Sequence, residues 1–242
     1  MRITAIILAA GKGTRFADPK VNKTAYKING KSMLQGGLDV VASLVDDTIV
    51  VVGYRKQSVI DTVKTKRIKF VTQNKRLGTG HAVKLALKEI EKGNTKPDHI
   101  FVANGDHLFQ VSKKAIRGLF KMHIAEGNDA TVLTSFHPNP VERDNGRIIR
   151  KNGRIVEIVE KCDFTPEIRK IDELNSGNYI FRYASLKRVL PKASIVPGKE
   201  FNIVYSIFEM GKVGGCVVSF EDVGSGINSK SDLEEYLAER KA

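Results

Sequence analysis

The sequence predicts an α/β fold in which a mostly parallel, doubly wound sheet is joined to a smaller β-rich lobe. Short apolar runs alternate with amphipathic segments through the first half of the 242-residue chain. This alternation is typical of crossover units that make neighbouring strands parallel. The second half carries the hairpin signal Asn152-Gly153 between two strand-like runs, which indicates antiparallel pairing there.

In the first half, the clearest helix is predicted over Ala82–Glu91, because its apolar residues recur at helical spacing and Gly93 follows as a stop. The remaining predicted strands are Ile3–Ala9, Thr48–Gly53, Ile68–Gln73, His99–Asn104 and Ala130–Ser135. The remaining predicted helices are Ser32–Leu44, Lys56–Lys64 and Ser112–Glu126. A ligand site is expected beyond the carboxyl ends of these parallel strands.

The second half is predicted to be richer in strands and to close with a helix. Its predicted strands are Arg147–Arg150 and Arg154–Glu160, which form the hairpin, then Ser176–Arg182 and Gly215–Phe220. Its predicted helices are Lys199–Met210 and Ser231–Arg240. We find no internal repeat or long linker and expect residues 1–242 to form a single domain.

Composition limits the class of protein. No apolar run approaches the roughly 20 residues of a membrane-spanning helix, and two cysteines form no disulfide framework. We therefore expect a cytoplasmic protein with no membrane partner. The net charge of +13 indicates either a solvated lysine-rich surface, attraction of a polyanionic substrate, or nucleic-acid binding. The absence of an aromatic-interleaved basic motif argues against nucleic acid.

The turn Leu8-Ala9-Ala10-Gly11-Lys12-Gly13-Thr14-Arg15 follows the first predicted strand. Two glycines permit positive φ angles, backbone N–H groups in such a turn bind anions, and Arg15 offers a forked donor for phosphate. The turn fits neither the Walker pattern nor the dinucleotide fingerprint. On its glycines alone, an ordinary tight turn is an equal interpretation.

Two more unusual segments fall at the same predicted edge of the sheet. Gln73 precedes Leu77-Gly78-Thr79-Gly80-His81-Ala82. Its amide could pair with a pyrimidine edge, and Thr79 could contact a nucleotide or simply cap the helix. Asn104-Gly105-Asp106 follows a buried strand. Asp106 there could bind a metal over phosphate oxygens or form an Asx turn.

These strings together resemble the sugar-nucleotide pyrophosphorylases, and most closely the uridylyltransferase domain of the N-acetylglucosamine-1-phosphate enzymes. The resemblance runs from about Ile3 to Leu237. It implies a Rossmann-like, glycosyltransferase-A-like fold with a nucleotide-binding half at about 1–136, a sugar-binding half at about 137–228 and a closing helix at 229–242. Without a hexapeptide repeat, no acetyltransferase activity is expected.

The resemblance also implies roles for particular residues. Arg15 and a lysine would neutralise the triphosphate; Lys23 has the family spacing before Gly30-Lys31, whereas Lys20 has the family neighbour Pro19. Asp106 and Asn228 would bind Mg²⁺, although Asn228 could be a plain turn residue. The nucleotide would be held by Leu8, Ala10, Gly11, Gly13, Thr14, Gln73, Gly78 and Thr79.

The sugar would be held by Gly146, Glu160, Asn175 and Asn202. Glu160 could instead be an exposed carboxylate at a strand end. The segment Glu200-Phe201-Asn202-Ile203-Val204-Tyr205 departs from the family's Glu-Tyr-Tyr-Leu-Thr-Asp pattern, and Asn202 replaces a sugar-contacting tyrosine. This departure leaves the identity of the sugar open.

The resemblance therefore implies transfer of a nucleotidyl group from a nucleoside triphosphate, with UTP favoured, to a sugar 1-phosphate, with N-acetylglucosamine 1-phosphate favoured. A thymidylyl- or cytidylyltransferase is the alternative within the same class. A non-catalytic nucleotide-sugar sensor and a nucleic-acid binder are alternatives from other classes. The sequence leaves the oligomeric state open.

Overall fold

The computed structural model describes residues 1–13, 16, 20–193, 200–224, 226–227 and 229–239. Side chains are not described for residues 230, 231, 235, 238 and 239 of the last helix. Within these residues, no helix combines the length and the apolar character needed to cross a membrane.

Strands and helices alternate along the chain. The strands are β1 (Ile3–Ala9), β2 (Lys27–Ile28), β3 (Lys31–Ser32), β4 (Asp47–Val52), β5 (Ile68–Thr72), β6 (His99–Asn104), β7 (Ala130–Phe136), β8 (Arg147–Lys151), β9 (Arg154–Val159), β10 (Glu173–Arg182) and β11 (Val213–Val218). The α-helices are α1 (Met33–Val41), α2 (Lys56–Ile60), α3 (Thr79–Lys92), α4 (Lys113–Ala125), α5 (Pro166–Arg169), α6 (Tyr183–Val189) and α7 (Lys230–Glu239). Short 3₁₀ helices lie at Lys23–Ala25, Leu108–Gln110, Pro140–Glu142, Lys161–Asp163, Ile203–Glu209 and Phe220–Asp222.

One large sheet runs through both halves of the chain. Its main strands follow the order β11-β7-β10-β6-β1-β4-β5, and β1 pairs in parallel with both β4 and β6. Strand β10 runs antiparallel to β6 and β7, and the hairpin β8–β9 joins the sheet by pairing with β10. The predicted α/β class with a mostly parallel sheet is confirmed. The β-rich lobe is continuous with this sheet.

Alternation along β1 places helices on both faces of the sheet. Ile3, Ala5 and Ile7 pack with α1 and α4 on one face, and Ile6 packs with α3 on the other. Each of these strand residues is almost completely buried. Since successive strand side chains point to opposite faces, an unbroken apolar run such as this is suited to a strand that is covered on both sides.

Most predicted elements occur at nearly the predicted positions, although β10 begins at Glu173 rather than Ser176 and the short elements α5, β2 and β3 were not predicted. The helix expected over Lys56–Lys64 ends at Ile60. The described part of the helix expected over Lys199–Met210 is the 3₁₀ helix Ile203–Glu209. Helix α6 was not predicted; it follows β10 directly. The hairpin turn is as expected, since Asn152 and Gly153 both have the positive φ of a type I′ turn.

A pair of histidines, of which His123 is buried and His99 half-buried, lies at the start of β6, away from the carboxyl edge of the sheet. Nδ1 of His99 is 3.1 Å from Nε2 of His123, whose Nδ1 is 2.9 Å from the Thr131 hydroxyl. Burial, aided by repulsion from His99 and Arg182, lowers the pKa of His123 to about 4. The unfolded chain, where the pKa is about 6.5, therefore binds a proton that the folded chain excludes.

We predict that the free energy of unfolding falls as pH is lowered from about 6.5 to about 4, by up to about 3 kcal/mol from His123 alone. Urea unfolding across this range checks it. The variant His123→Gln, which retains a hydrogen-bonding side chain beside Thr131, should lose this part of the pH dependence. Identical pH dependence in both proteins would show that His123 is not held neutral by burial.

Candidate active site

A cavity of about 750 Å³ opens at the carboxyl ends of β1, β5 and β6. This is the edge at which the sequence places a ligand site. Every predicted site residue that the structure describes lines this cavity. These residues are Leu8, Ala10, Gly11, Gly13, Lys23, Gln73, Gly78, Thr79, Asp106, Gly146, Glu160, Asn175 and Asn202. Thr14, Arg15 and Asn228 lie outside the described residues, so their predicted roles stay predictions.

The glycine turn allows a lysine to approach the cavity wall. Gly13 has a φ of +59°, and a Cβ atom there would lie 2.9 Å from the Cβ of Lys23. Only glycine combines that backbone angle with that distance. The turn expected after β1 is therefore shaped to accommodate Lys23.

Asn22, which the sequence analysis did not single out, holds Lys23 in place. Its side-chain amide donates to the carbonyl oxygens of Gly11 and Tyr54, at 3.0 and 2.8 Å. Its side-chain oxygen accepts from the backbone N–H of Thr24 at 2.9 Å and so caps the 3₁₀ helix that carries Lys23. An asparagine in a polar stretch gives no distinct sequence signal, because its role depends on contacts with Tyr54, 32 positions away.

Lys23 and Asp106 form an ion pair in the cavity. The ammonium nitrogen of Lys23 lies 2.7 Å from a carboxylate oxygen of Asp106, with the lysine side chain 7% and the aspartate 31% exposed. The backbone N–H of Gly105 donates to the carbonyl of Leu8 and fixes the end of β6 beside β1. Of the two candidate lysines, Lys23 lines this cavity and Lys20 lines a neighbouring one.

Gln73 is held in the cavity wall by Gly78 and His81. The Gln73 amide nitrogen donates to the carbonyl of Gly78 and lies 3.0 Å from Nδ1 of His81. Burial lowers the pKa of His81, which favours the neutral ring that can accept this hydrogen bond. With the amide nitrogen engaged on both sides, the side-chain oxygen of Gln73 is the atom left for a ligand.

The amino end of α3 is joined to the second half of the chain through Phe201. The backbone N–H of Phe201 donates to Leu77, and the Phe201 carbonyl accepts from Gly80, both at 2.8 Å. Gly78 lies between them with a φ of +102°, and a Cβ atom there would be 2.4 Å from the Phe201 carbonyl oxygen. This contact brings residues 200–203 to the cavity wall.

The interpretation of Thr79 as a helix cap is wrong. Gly78 occupies the cap position without a side-chain hydrogen bond, and Thr79 is the first residue of α3. The Thr79 hydroxyl donates to the Asn202 side-chain oxygen at 2.8 Å and accepts from the Ile203 N–H at 3.0 Å. Thr79 therefore links the helix to the other half of the cavity.

The predicted sugar residues lie in the same cavity. Burial raises the pKa of the Glu160 carboxyl group, whereas the neighbouring side-chain amides of Asn175 and Asn202 favour its charged form. The backbone N–H of Asn175 donates to the Gly146 carbonyl at 2.9 Å. Glu160 is thus neither isolated nor freely exposed, which removes the interpretation of a solvated strand-end carboxylate.

Asn175 reaches the cavity because β10 carries a bulge. The register with β7 shifts between Asn175 and Tyr179, and Gly177 within the bulge has a φ of +71°. A Cβ atom at Gly177 would lie 2.7 Å from the Asn104 amide nitrogen. Bulges of this kind redirect side chains next to functional sites.

Arg147, which was not predicted as a site residue, holds the loop that contains Gly146. Its guanidinium group is completely buried, and burial lowers its pKa. It donates to the carbonyls of Asn145, Pro140, Arg143 and Arg169 and stacks 4.6 Å from the Phe164 ring. These bonds fix the loop that presents Asn145 and Gly146 to the cavity.

The donor set suits a magnesium ion. Mg²⁺ is usually held by one or two carboxylates together with substrate phosphates and waters. Asp106 supplies a partly exposed carboxylate at the cavity wall. Among the residues that the structure describes, no group of three or more His, Cys, Asp or Glu side chains forms a site of another kind.

Comparison with known families identifies the family to which this chain belongs. Residues 4–211 match the family model described as Nucleotidyl transferase. The chain belongs to the nucleotidyl transferase family. This confirms the resemblance found in the glycine turn and in the Gln73 and Asp106 segments.

Several curated relatives are bifunctional GlmU proteins. The protein from Desulfitobacterium hafniense strain DSM 10664 / DCB-2 is 34% identical over 235 residues, which cover 95% of this chain and 50% of that protein. The protein from Clostridioides difficile strain 630 is 41% identical over 195 residues, which cover 78% of this chain and 40% of that protein. The chain thus spans about half the length, or less, of these relatives.

A solved structure from Bacillus anthracis, described as a glucose-1-phosphate thymidylyltransferase in complex with sucrose, has the same fold. The TM-score is 0.75 at 19% sequence identity, covering 98% of this chain and 94% of that chain. At this identity the similarity establishes the fold alone.

We predict that Gly78→Ala destabilises the protein by about 2 kcal/mol or more, because the new Cβ requires a glycine-only φ and collides with the Phe201 backbone. The matched control is Gly93→Ala at the other end of α3. A Cβ there would make an ordinary 3.5 Å contact, and we expect a change within about 0.5 kcal/mol. Equal urea midpoints for the two variants would contradict the assigned contact.

Proposed function

We propose that this protein transfers a uridylyl group from UTP to N-acetylglucosamine 1-phosphate and releases pyrophosphate. One observation carries the proposal: the Lys23–Asp106 pair lines a single cavity together with Gln73 and Glu160. Groups suited to phosphate and metal, to a base and to a sugar therefore share one cavity. Membership of the nucleotidyl transferase family supports the reaction class.

The nucleotide is proposed to bind across the amino end of α3 and the glycine turn. The free side-chain oxygen of Gln73 accepts from a ring N–H, and the positive φ at Gly78 allows the base to lie against backbone. The backbone N–H groups of Gly11 and Gly13 face the phosphates. The resemblance of the Gln73–Thr79 string to uridylyltransferases favours UTP over other triphosphates.

In the proposed reaction an oxygen of the sugar phosphate attacks the α-phosphorus of UTP. The bond from that phosphorus to the bridging oxygen of the β-phosphate breaks, and pyrophosphate leaves with the bonding electrons. Such transfers depend on in-line placement and on neutralisation of phosphate charge rather than on a protein nucleophile. The Lys23 ammonium, 7% exposed, supplies a desolvated positive charge for this purpose.

Magnesium is proposed as the cofactor, held by Asp106 with Asn228 as the second protein ligand. When bound, Mg²⁺ neutralises charge on the phosphate oxygens. Asp106 would hold the metal through its carboxylate, and the Lys23 ammonium would then be available to a phosphate oxygen. The carboxylate and the ammonium thus compensate each other until substrate arrives.

The acceptor is proposed to bind where Gly146, Glu160, Asn175 and Asn202 converge. The Glu160 carboxylate accepts from sugar hydroxyl groups, and the amides that contact it set its orientation. A buried site of hydrogen-bonding groups discriminates strongly against a substrate that lacks their partners. Arg147 keeps the Gly146 loop rigid behind the sugar.

A pyrophosphate-release screen over triphosphates and sugar 1-phosphates tests the proposal. We expect UTP with N-acetylglucosamine 1-phosphate to be turned over at least about tenfold faster than CTP, dTTP or ATP with any acceptor. A clear preference for CTP or dTTP would instead identify a cytidylyl- or thymidylyltransferase. Binding of nucleotide sugar without pyrophosphate release from any pair would identify a non-catalytic sensor.

Substitutions of Lys23 and Asp106 test whether this ion pair takes part in the reaction. Asp106→Asn and Lys23→Met should each lower turnover at least about 100-fold, the scale for loss of an electrostatic stabiliser. The exposed pair Lys31–Asp39 has the same 2.7 Å separation and serves as a matched control. Lys31→Met and Asp39→Asn should change turnover less than about twofold. Near-normal activity of Asp106→Asn at saturating Mg²⁺ would refute its assigned role.

A further inference from the structure

A second cavity, of about 570 Å³, lies at the carboxyl ends of β4 and β5 beside the first. Its lining includes Lys20, Tyr54, Arg55, Lys56 and Arg76. It shares Gln73 and Arg76 with the first cavity. The proposed reaction uses none of its other lining residues.

The second cavity is strongly cationic. Two arginines and two lysines line it, and no aspartate or glutamate is among its described lining residues. Across the part of the chain that the structure describes, Arg55, Lys56 and Arg76 make no ion pair within 4.0 Å.

The guanidinium groups of Arg55 and Arg76 both lie close to the Tyr54 ring. The guanidinium carbons of Arg55 and Arg76 lie 5.6 and 6.0 Å from the ring centroid. Cation–π attraction offsets part of the repulsion between like charges at this distance. An anion in the cavity would offset the rest, because each guanidinium group presents a fork of N–H donors to phosphate oxygens.

The backbone holds this cluster in a fixed relation to the nucleotide pocket. The Tyr54 N–H donates to the Ala10 carbonyl at 3.1 Å, and the Tyr54 carbonyl accepts from the Asn22 amide at 2.8 Å. Arg55 adopts a left-handed φ of +50°, which is uncommon for a long side chain. The glycine turn and Asn22 therefore position the second cavity as well as Lys23.

We propose that the second cavity binds a polyphosphate group at a site distinct from the one that binds the reacting nucleotide. Several cations within one cavity match a ligand with several negative charges, whereas a single carboxylate would neutralise only one of them. The polyphosphate could be free, or it could be the tail of a second nucleotide, since both present the same oxygens. Through Gln73 and Arg76, an occupied second cavity would act on the base pocket.

Calorimetric titration of the full chain with inorganic tripolyphosphate, without metal, tests this site independently of turnover. A Lys23→Met background weakens phosphate binding in the first cavity. In that background, Arg55→Gln with Lys56→Gln should weaken tripolyphosphate affinity at least about tenfold, as expected for loss of two charge-assisted contacts. Thermal unfolding followed by circular dichroism confirms that each variant is folded.

The matched control is Arg117→Gln with Lys121→Gln, which removes the same two charges from the exposed face of α4. It should change the affinity less than about twofold, because general surface charge contributes only weakly at moderate salt. Equal weakening by both double variants, or by neither, overturns the proposal. If UTP competes for the second site, the ligand is a nucleotide tail; if only tripolyphosphate and pyrophosphate bind, it is free polyphosphate.

Discussion

The contact between Lys23 and Asp106 is the interaction on which the rest of the cavity depends. It joins residues 83 positions apart, and several local features serve it. Gly13 leaves room for the lysine, Asn22 caps its helix, and the N–H of Gly105 holds the aspartate segment against β1. A lysine with 7% exposure needs a compensating charge. The pair therefore keeps the ammonium group that is proposed to bind phosphate beside the carboxylate that is proposed to bind metal, and each compensates the charge of the other.

The second half of the chain reaches this pair through two departures from regular structure. The bulge in β10 turns Asn175 toward the cavity, and the Phe201 backbone closes against Gly78. Both depend on positive φ angles at glycine, at Gly177 and Gly78. These contacts join the second half of the chain to Asn104 at the end of β6 and to the amino end of α3.

The sequence predicted the sheet well because its signals are local. The strand predicted over Ile3–Ala9 and the one over His99–Asn104 have the observed bounds, since buried parallel strands are continuous apolar runs ended by turn residues. Spacing and resemblance also identified the site residues that the structure places in one cavity.

The roles of Asn22, His81 and Arg147 could not be predicted from spacing or resemblance. Their roles come from contacts to carbonyls and side chains of other segments, which leave no periodic or spacing signal. Of the two interpretations of Thr79, the helix cap was wrong, because its hydroxyl bonds to Asn202 and Ile203 of a distant segment and these contacts leave no local sequence signal.

The proposed reaction requires one arrangement: a triphosphate that extends from Gln73 to the Lys23–Asp106 pair, with the acceptor beyond it. A crystal structure with Mg²⁺ and a UTP analogue whose α–β bridging oxygen is replaced by methylene tests this most directly. We expect the base to lie against Gly78, the metal to lie on the Asp106 carboxylate, and the Lys23 ammonium to have moved from Asp106 to a phosphate oxygen. A nucleotide bound elsewhere, with the Lys23–Asp106 pair unchanged, would contradict it.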